Sequence, residues 1–289
     1  MTEAQLRAQL ATLGLPSLTN TVLRLSRPAI RLHPDGRPDD RIDIGVSKFG
    51  GSPDMPLSMP WPAWRDRPLG FVAQVNLTEI APYAPATGIL PTSGELYFFY
   101  DLWEQPWGFD PKDRGGAKVI YVDGAAAQFQ RRSAPPSTYN TVDPAPITAS
   151  AITYSLDLSP RSAQSEQLDL LVPDRDMRER YSEWWFDPST ECLPVHQLLG
   201  LPALVQGDME IECQFASNGV YVGDTKALHD RRHEHMKASA VDWELLLQVD
   251  SDDTLGTMWG DSGRIYFWIR RQDLAARNFE QTWLILQCG

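Results

Sequence analysis

Four carboxylates crowd one short stretch of this chain: Asp250, Asp252, Asp253 and Asp261, with Trp259 among them and no Lys or Arg from Leu245 to Gly263. Like charges so close repel, and a hard divalent cation such as Ca²⁺ or Mg²⁺ would relieve them through oxygen ligands. The spacing is not that of an EF-hand loop, because Leu255 stands where Gly is required and no Glu closes the loop. The competing reading is a solvated turn. There the Asp side chains accept backbone N–H groups and pair with Arg from neighbouring strands.

The histidines offer less. His229 and His233 are spaced one helical turn apart, as in many zinc sites, with His235 following. Asp230, Arg231, Arg232, Glu234 and Lys237 around them read instead as a solvated helix. His196 precedes the apolar pair Leu198-Leu199, which suits either a buried imidazole bonded to a backbone carbonyl or a general base. Gln74 and Gln248 lie inside apolar strands. A buried amide left without partners costs about 1–3 kcal/mol, so the two either bond each other or read a ligand. Asn76, Gln206, Asp208 and Trp259 join Gln74, His196 and Gln248 as ligand-binding candidates. Trp103, Trp107 and Phe109 could stack a sugar or a peptide, or clamp a neighbouring sheet. Nucleophile elbows, phosphate loops, dinucleotide fingerprints and HExxH zinc motifs are absent, so no catalytic residue is assigned.

The elements that must position these residues are mostly short strands. Pro at 23 positions punctuates the apolar runs, which disfavours long helices. Alternation predicts strands at 28–33, 41–46, 69–77, 95–101, 117–122, 147–158, 243–250, 264–270 and 282–287. Helices are expected at 2–13, capped by Thr2 with Leu6, Leu10 and Leu13 on one face, and at 174–186, 207–217, 226–240 and 273–277. Residues 47–62, with adjacent glycines and several prolines, form a loop stapled by Trp61, and 123–146 reads as a connection.

With 289 residues, 42% of them hydrophobic, the chain can bury a large core. A formal charge of −12 repels phosphate backbones and anionic lipid surfaces, so neither nucleic acid nor a membrane is an expected partner. Three cysteines without metal-site spacing, and an N-terminus without a signal-peptide pattern, lead to the expectation of a soluble cytoplasmic protein.

Four blocks recur in the same order. Gly51-Ser52-Pro53 meets Gly200-Leu201-Pro202, and Phe71-Val72-Ala73-Gln74-Val75-Asn76 meets Leu245-Leu246-Leu247-Gln248-Val249-Asp250. Ser93-Gly94-Glu95-Leu96-Tyr97-Phe98 meets Ser262-Gly263-Arg264-Ile265-Tyr266-Phe267, and Val119-Ile120-Tyr121 meets Leu284-Ile285-Leu286. Shared order predicts an internal duplication with a cleft between the copies.

The run Lys48 to Pro56 with Trp61-Pro62, the segment Phe71 to Leu77, and the stretches His196 to Gly200, Gln206 to Glu210, Leu246 to Asp252 and Met258 to Gly263 together resemble the YwqG-like family. That resemblance implies a bacterial domain of unknown function with a duplicated, sheet-rich α+β fold, and carries over no catalytic residues. The expected organisation is an N-terminal helix (1–26), a first repeat (27–145) and a second repeat with helical insertions (146–289), in one unit of mainly antiparallel sheet. The expected function is non-enzymatic binding of a protein or small molecule in the cleft between repeats, in an immunity- or regulator-like role, with no cofactor. The alternative is a divalent-metal-binding protein or metal-dependent hydrolase using Asp250, Asp252, Asp253 and Asp261.

Overall fold

Aromatic and branched residues fill Glu95–Tyr100 (ELYFFY) and Arg264–Arg270 (RIYFWIR), so both faces of these strands are apolar. Strands of this kind need cover on both sides. In the computed structural model, which describes residues 1–83, 89–124, 129–136, 144–187, 194–224 and 226–289, they lie within one ten-stranded sheet. Its strands are β1 (Arg27–Pro34), β2 (Lys48–Phe49), β3 (Gly70–Asn76), β4 (Glu95–Tyr100), β5 (Ala117–Val122), β6 (Ser150–Ser159), β7 (Gln197–Leu198), β8 (Trp243–Asp250), β9 (Arg264–Arg270) and β10 (Trp283–Gln287). The order across the sheet is β10-β9-β8-β7-β1-β6-β2-β3-β4-β5, and every neighbouring pair is antiparallel.

The sheet curls nearly into a barrel. One core holds Phe98, Tyr100 and Val119 from one end of the sheet together with Ile265, Phe267 and Leu284 from the other. The rings of Phe98 and Phe267 meet edge-on at 5.2 Å. The edge strands β5 and β10 are bridged by the loop at 106–109, where the Leu286 N–H donates to the Trp107 carbonyl at 3.1 Å. Gly108 has φ +82°, and a Cβ there would stand 1.9 Å from the Leu284 carbonyl oxygen, so the close approach requires glycine.

The outer faces are covered piecemeal. At the N-terminus, α1 (Glu3–Thr12) starts with a capping box between Thr2 and Gln5, as the sequence predicts. Leu6 and Leu10 bury against α2 (Thr19–Leu25), α3 (Glu166–Leu171) and α4 (Arg175–Trp185), at about 1.5–3 kcal/mol for each such side chain. Helix α5 (Glu210–Ser217) places Cys213 and Phe215 on Tyr266, Trp268 and Ile285. On the other half, Met55 and Trp61 cover Phe71, Tyr97 and Phe99, beside a ribbon of Asp54–Pro56 with Phe129–Arg131.

Three expectations change. Residues 41–46 are not a strand: a 3-10 turn at Asp39–Arg41 precedes a bend, because Lys48 Nζ and the Ser52 N–H both bind the Asp39 carboxylate and fold the segment inward. The helix expected over 226–240 breaks into one-turn pieces, since Asp230 takes the Arg232 N–H onto its own side chain and competes with the helical ladder. The connection at 123–146 contains the strand Phe129–Arg131, while 125–128 and 137–143 lie outside the described residues.

The order reads alike from both ends: β10, β9, β8, β7, β1 answer β5, β4, β3, β2, β6. In register, Gln74 faces Lys48 and Tyr97, while Gln248 faces Gln197 and Tyr266. Each half also carries a bulge at the same place, between Phe71 and Ala73 and between Leu245 and Leu247.

Candidate functional site

Gln74 and Gln248 are each fully buried and bond a crossing loop of their own half. Gln74 Oε1 accepts from the Asp54 N–H at 2.8 Å and its Nε2 donates to the Val46 carbonyl at 2.8 Å. Gln248 Oε1 accepts from Ala203 N–H at 2.9 Å and its Nε2 donates to the Val195 carbonyl at 2.8 Å. The alternative that the two amides bond each other is therefore replaced by two parallel braces. Tyr97 and Tyr266 repeat the pattern, their hydroxyls donating to the carbonyls of Asp54 and Ala203.

His196 is buried with both ring nitrogens engaged. Nδ1 accepts from the Asp250 N–H at 3.1 Å, so the proton sits on Nε2, 3.2 Å from Asp252 Oδ2. Its partners are thus a backbone N–H and a carboxylate, not the backbone carbonyl expected. In the first half Ser47 Oγ takes the same place, accepting from Asn76 N–H at 2.8 Å. The His196 bond is the main reason the Asp252 carboxyl is held down to about 2.

The aspartates divide. Asp250 Oδ2 accepts from Val195 N–H at 2.8 Å and meets Arg264 Nε at 3.0 Å. Asp252 also takes the Thr254 N–H and hydroxyl, both at 2.7 Å, whereas Asp253 and Asp261 are exposed. Among the described residues no group of three or more His, Cys, Asp or Glu side chains is arranged to hold a metal ion. Of the other candidates, Asn76 caps the turn at Thr78, Asp208 receives Ser165 Oγ and Glu166 N–H at the start of α3, and Gln206 Nε2 donates to the Cys288 carbonyl. Trp259 is buried and donates Nε1 to the Asp250 carbonyl at 3.1 Å. His229 and His235 are exposed, and His233 stacks edge-on with Phe215.

The first half has a buried charge cluster of its own, built on a lysine. Lys48, fully buried, donates to Asp39 at 2.8 Å and lies 3.6 Å from Asp54, which Arg131 Nε reaches at 2.9 Å. Gln197 and Ala203 stand at the matching places. Nearby, Glu95 is 2% exposed and its Oε2 makes no hydrogen bond among the described residues. Burial, with Glu79 and Asp54 adding, pushes its carboxyl up to about 8.

The large cavity lies elsewhere. About 740 Å³ opens at the seam between β5 and β10, lined by residues 117–120 and 282–284, with Tyr100 from β4 and with Trp61, Pro62, Arg114 and Glu280. Several of its side-chain polar atoms are spent on nearby backbone, while Lys118, Glu280 and Thr282 also stand in its lining. Tyr100 Oη donates to the Pro106 carbonyl at 3.0 Å, Trp283 Nε1 to Gly108 at 2.9 Å and Trp61 Nε1 to Leu69 at 2.9 Å. Asp113 accepts the Gly108 N–H at 2.9 Å, and burial is the main cause of its raised pKa. None of the seven ligand-binding candidates lines this space. The one signal in the sequence was Trp61-Pro62 beside the Tyr-Phe strand motif. A smaller cavity of about 470 Å³, under α1 and α4, includes His196 and Arg31 in its lining.

Fold and site together define an α+β protein built on a mostly antiparallel, nearly closed sheet with a cavity at its seam. The model of a domain of unknown function, DUF1963, matches residues 47–288, and the chain belongs to that family. The match begins at β2 and leaves β1, α1 and α2 outside it, and it does not itself name the YwqG-like proteins. No curated protein matches the chain. Among the described residues no helix is long and apolar enough to cross a membrane.

Proposed function

We propose that this is a non-enzymatic binding protein, made of two copies of one sheet unit, whose ligand enters the seam where the last strand of each copy ends the sheet. The observation that carries the reading is the cavity of about 740 Å³ between β5 and β10, the matching edge strands of the two halves. Duplication is supported by the mirrored strand order, the matching bulges and the paired Gln74 and Gln248 braces. A non-catalytic role is supported by the lining itself. Its Asp113 carboxylate and Tyr100 hydroxyl already hold backbone groups, and its other charged side chains are Arg114, Lys118 and Glu280.

A fragment screen followed by amide hydrogen exchange tests this. Ligands that stabilise the protein should protect 117–120 and 282–284 together. Stabilising ligands that leave both segments unchanged would refute the assignment.

A further inference from the structure

Besides the side chains of Lys118, Glu280 and Thr282 in its lining, the cavity has hydrogen-bonding capacity on its main chain. Asp101 N–H donates to the Gly116 carbonyl at 2.8 Å, and these two residues stand opposite each other in the register of β4 and β5. Antiparallel ladders alternate, so Lys118 and Ile120 direct their backbone groups to β4, whereas Ala117 and Val119 direct theirs outward to the seam. Across the gap Leu284 and Leu286 face the same way, because the Leu286 N–H is given to Trp107 on that side. The loop at 106–109 thus occupies part of the β10 edge, while among the described residues no strand pairs with the outer edge of β5.

We propose that the seam binds an extended peptide by strand addition to β5; this rests on the seam being the ligand site. A segment of about five residues, at roughly 3.3 Å each, spans the opening and exchanges backbone bonds with Ala117 and Val119. Successive side chains of a strand point to opposite faces. Every second side chain enters the apolar interior beside Tyr100, Val119 and Leu284, and those between lie against Trp61 and Trp283 on the outside. The occupant is therefore β-prone and apolar at the inward positions, while the lining also offers the charges of Arg114, Lys118 and Glu280. Main-chain bonding supplies affinity, and the aromatic walls supply selectivity.

The probe is a library of N-acetylated, C-amidated pentapeptides drawn from Val, Ile, Thr, Tyr, Phe and Trp, screened against the full chain, with the small-fragment screen run beside it. Blocked ends exclude capture through a terminal charge. The expected result is a bound peptide that slows exchange of the Val119 amide in the wild-type protein. Val119→Pro removes that donor on the open side, where a proline takes no hydrogen bond from the β4–β5 ladder, and, although it also trims a buried side chain, should weaken binding about tenfold with the sheet still folded by circular dichroism. Trp61→Ala, a second variant outside the ladder, should weaken it also. Fragments that protect the seam when no peptide does would overturn the strand reading and leave the seam as the ligand site. Neither class protecting the seam would remove both. A peptide that binds without slowing Val119, as a proline-rich one stacked on the aromatic walls would, also overturns strand addition.

Discussion

Replacing Gln248 by Leu keeps roughly the same volume and removes both ends of an amide that is fully buried. The Ala203 N–H and the Val195 carbonyl then lose their partners at 2.9 and 2.8 Å. Each stranded buried group costs about 1–3 kcal/mol, so the loss is roughly 2–6 kcal/mol. That is a large share of the about 5–15 kcal/mol by which domains are stable. Gln74→Leu strands the Asp54 N–H and the Val46 carbonyl in the same way. It also withdraws a donor at 3.0 Å from the Asp54 carboxylate, so its cost should equal or exceed that of Gln248→Leu. Guanidinium unfolding followed by circular dichroism and tryptophan fluorescence gives both values, provided the two probes coincide. Because the two amides share no partner, the double variant should be additive within about 0.5 kcal/mol. A Gln248→Leu protein within about 0.5 kcal/mol of wild type would refute the brace, since one stranded donor alone costs more. Coupling well above that margin would mean the two sites meet.

Glu95 is pushed up to about 8 chiefly by burial, so the folded chain keeps a proton that the unfolded chain releases near 4.5. Its contribution is full below that value and is lost as pH rises through about 8; Glu95→Gln should therefore flatten the decline in stability over this window, and an unchanged slope would count against the burial argument. With Asp250 paired to Arg264 and Asp252 to His196, added Ca²⁺ or Mg²⁺ should leave the melting temperature unmoved. Stabilisation that disappears in Asp250→Asn would reinstate the metal reading. Gly108→Ala should cost about 1–3 kcal/mol at its positive φ and lift the loop from β10, measurable as faster exchange of the Leu286 amide.

Much of the fold was legible because it is local. Alternation marked β5, β8 and β9 to the residue, and Thr2 and Asp174 marked the starts of α1 and α4, since pleat and cap act over a few neighbouring residues. The repeated blocks include Gln74 and Gln248, which pair with Tyr97 and Tyr266 in the sheet. The segment at 41–46 escaped this logic. Its alternation suits a strand, but the pull of Lys48 and Ser52 on Asp39 comes from the folded loop.

The site was harder for the same reason. The sequence picked polar residues in apolar strands, and Gln74, Gln248 and His196 proved to spend their polar atoms on holding loops in place. The cavity is made by what two edges lack. Whether the backbone of Ala117 and Val119 has a partner depends on how far the sheet curls and where β10, some 160 residues away, comes to rest. Local pattern determined the strands; only closure of the sheet decided that a gap would remain between the first half's last strand and the second's.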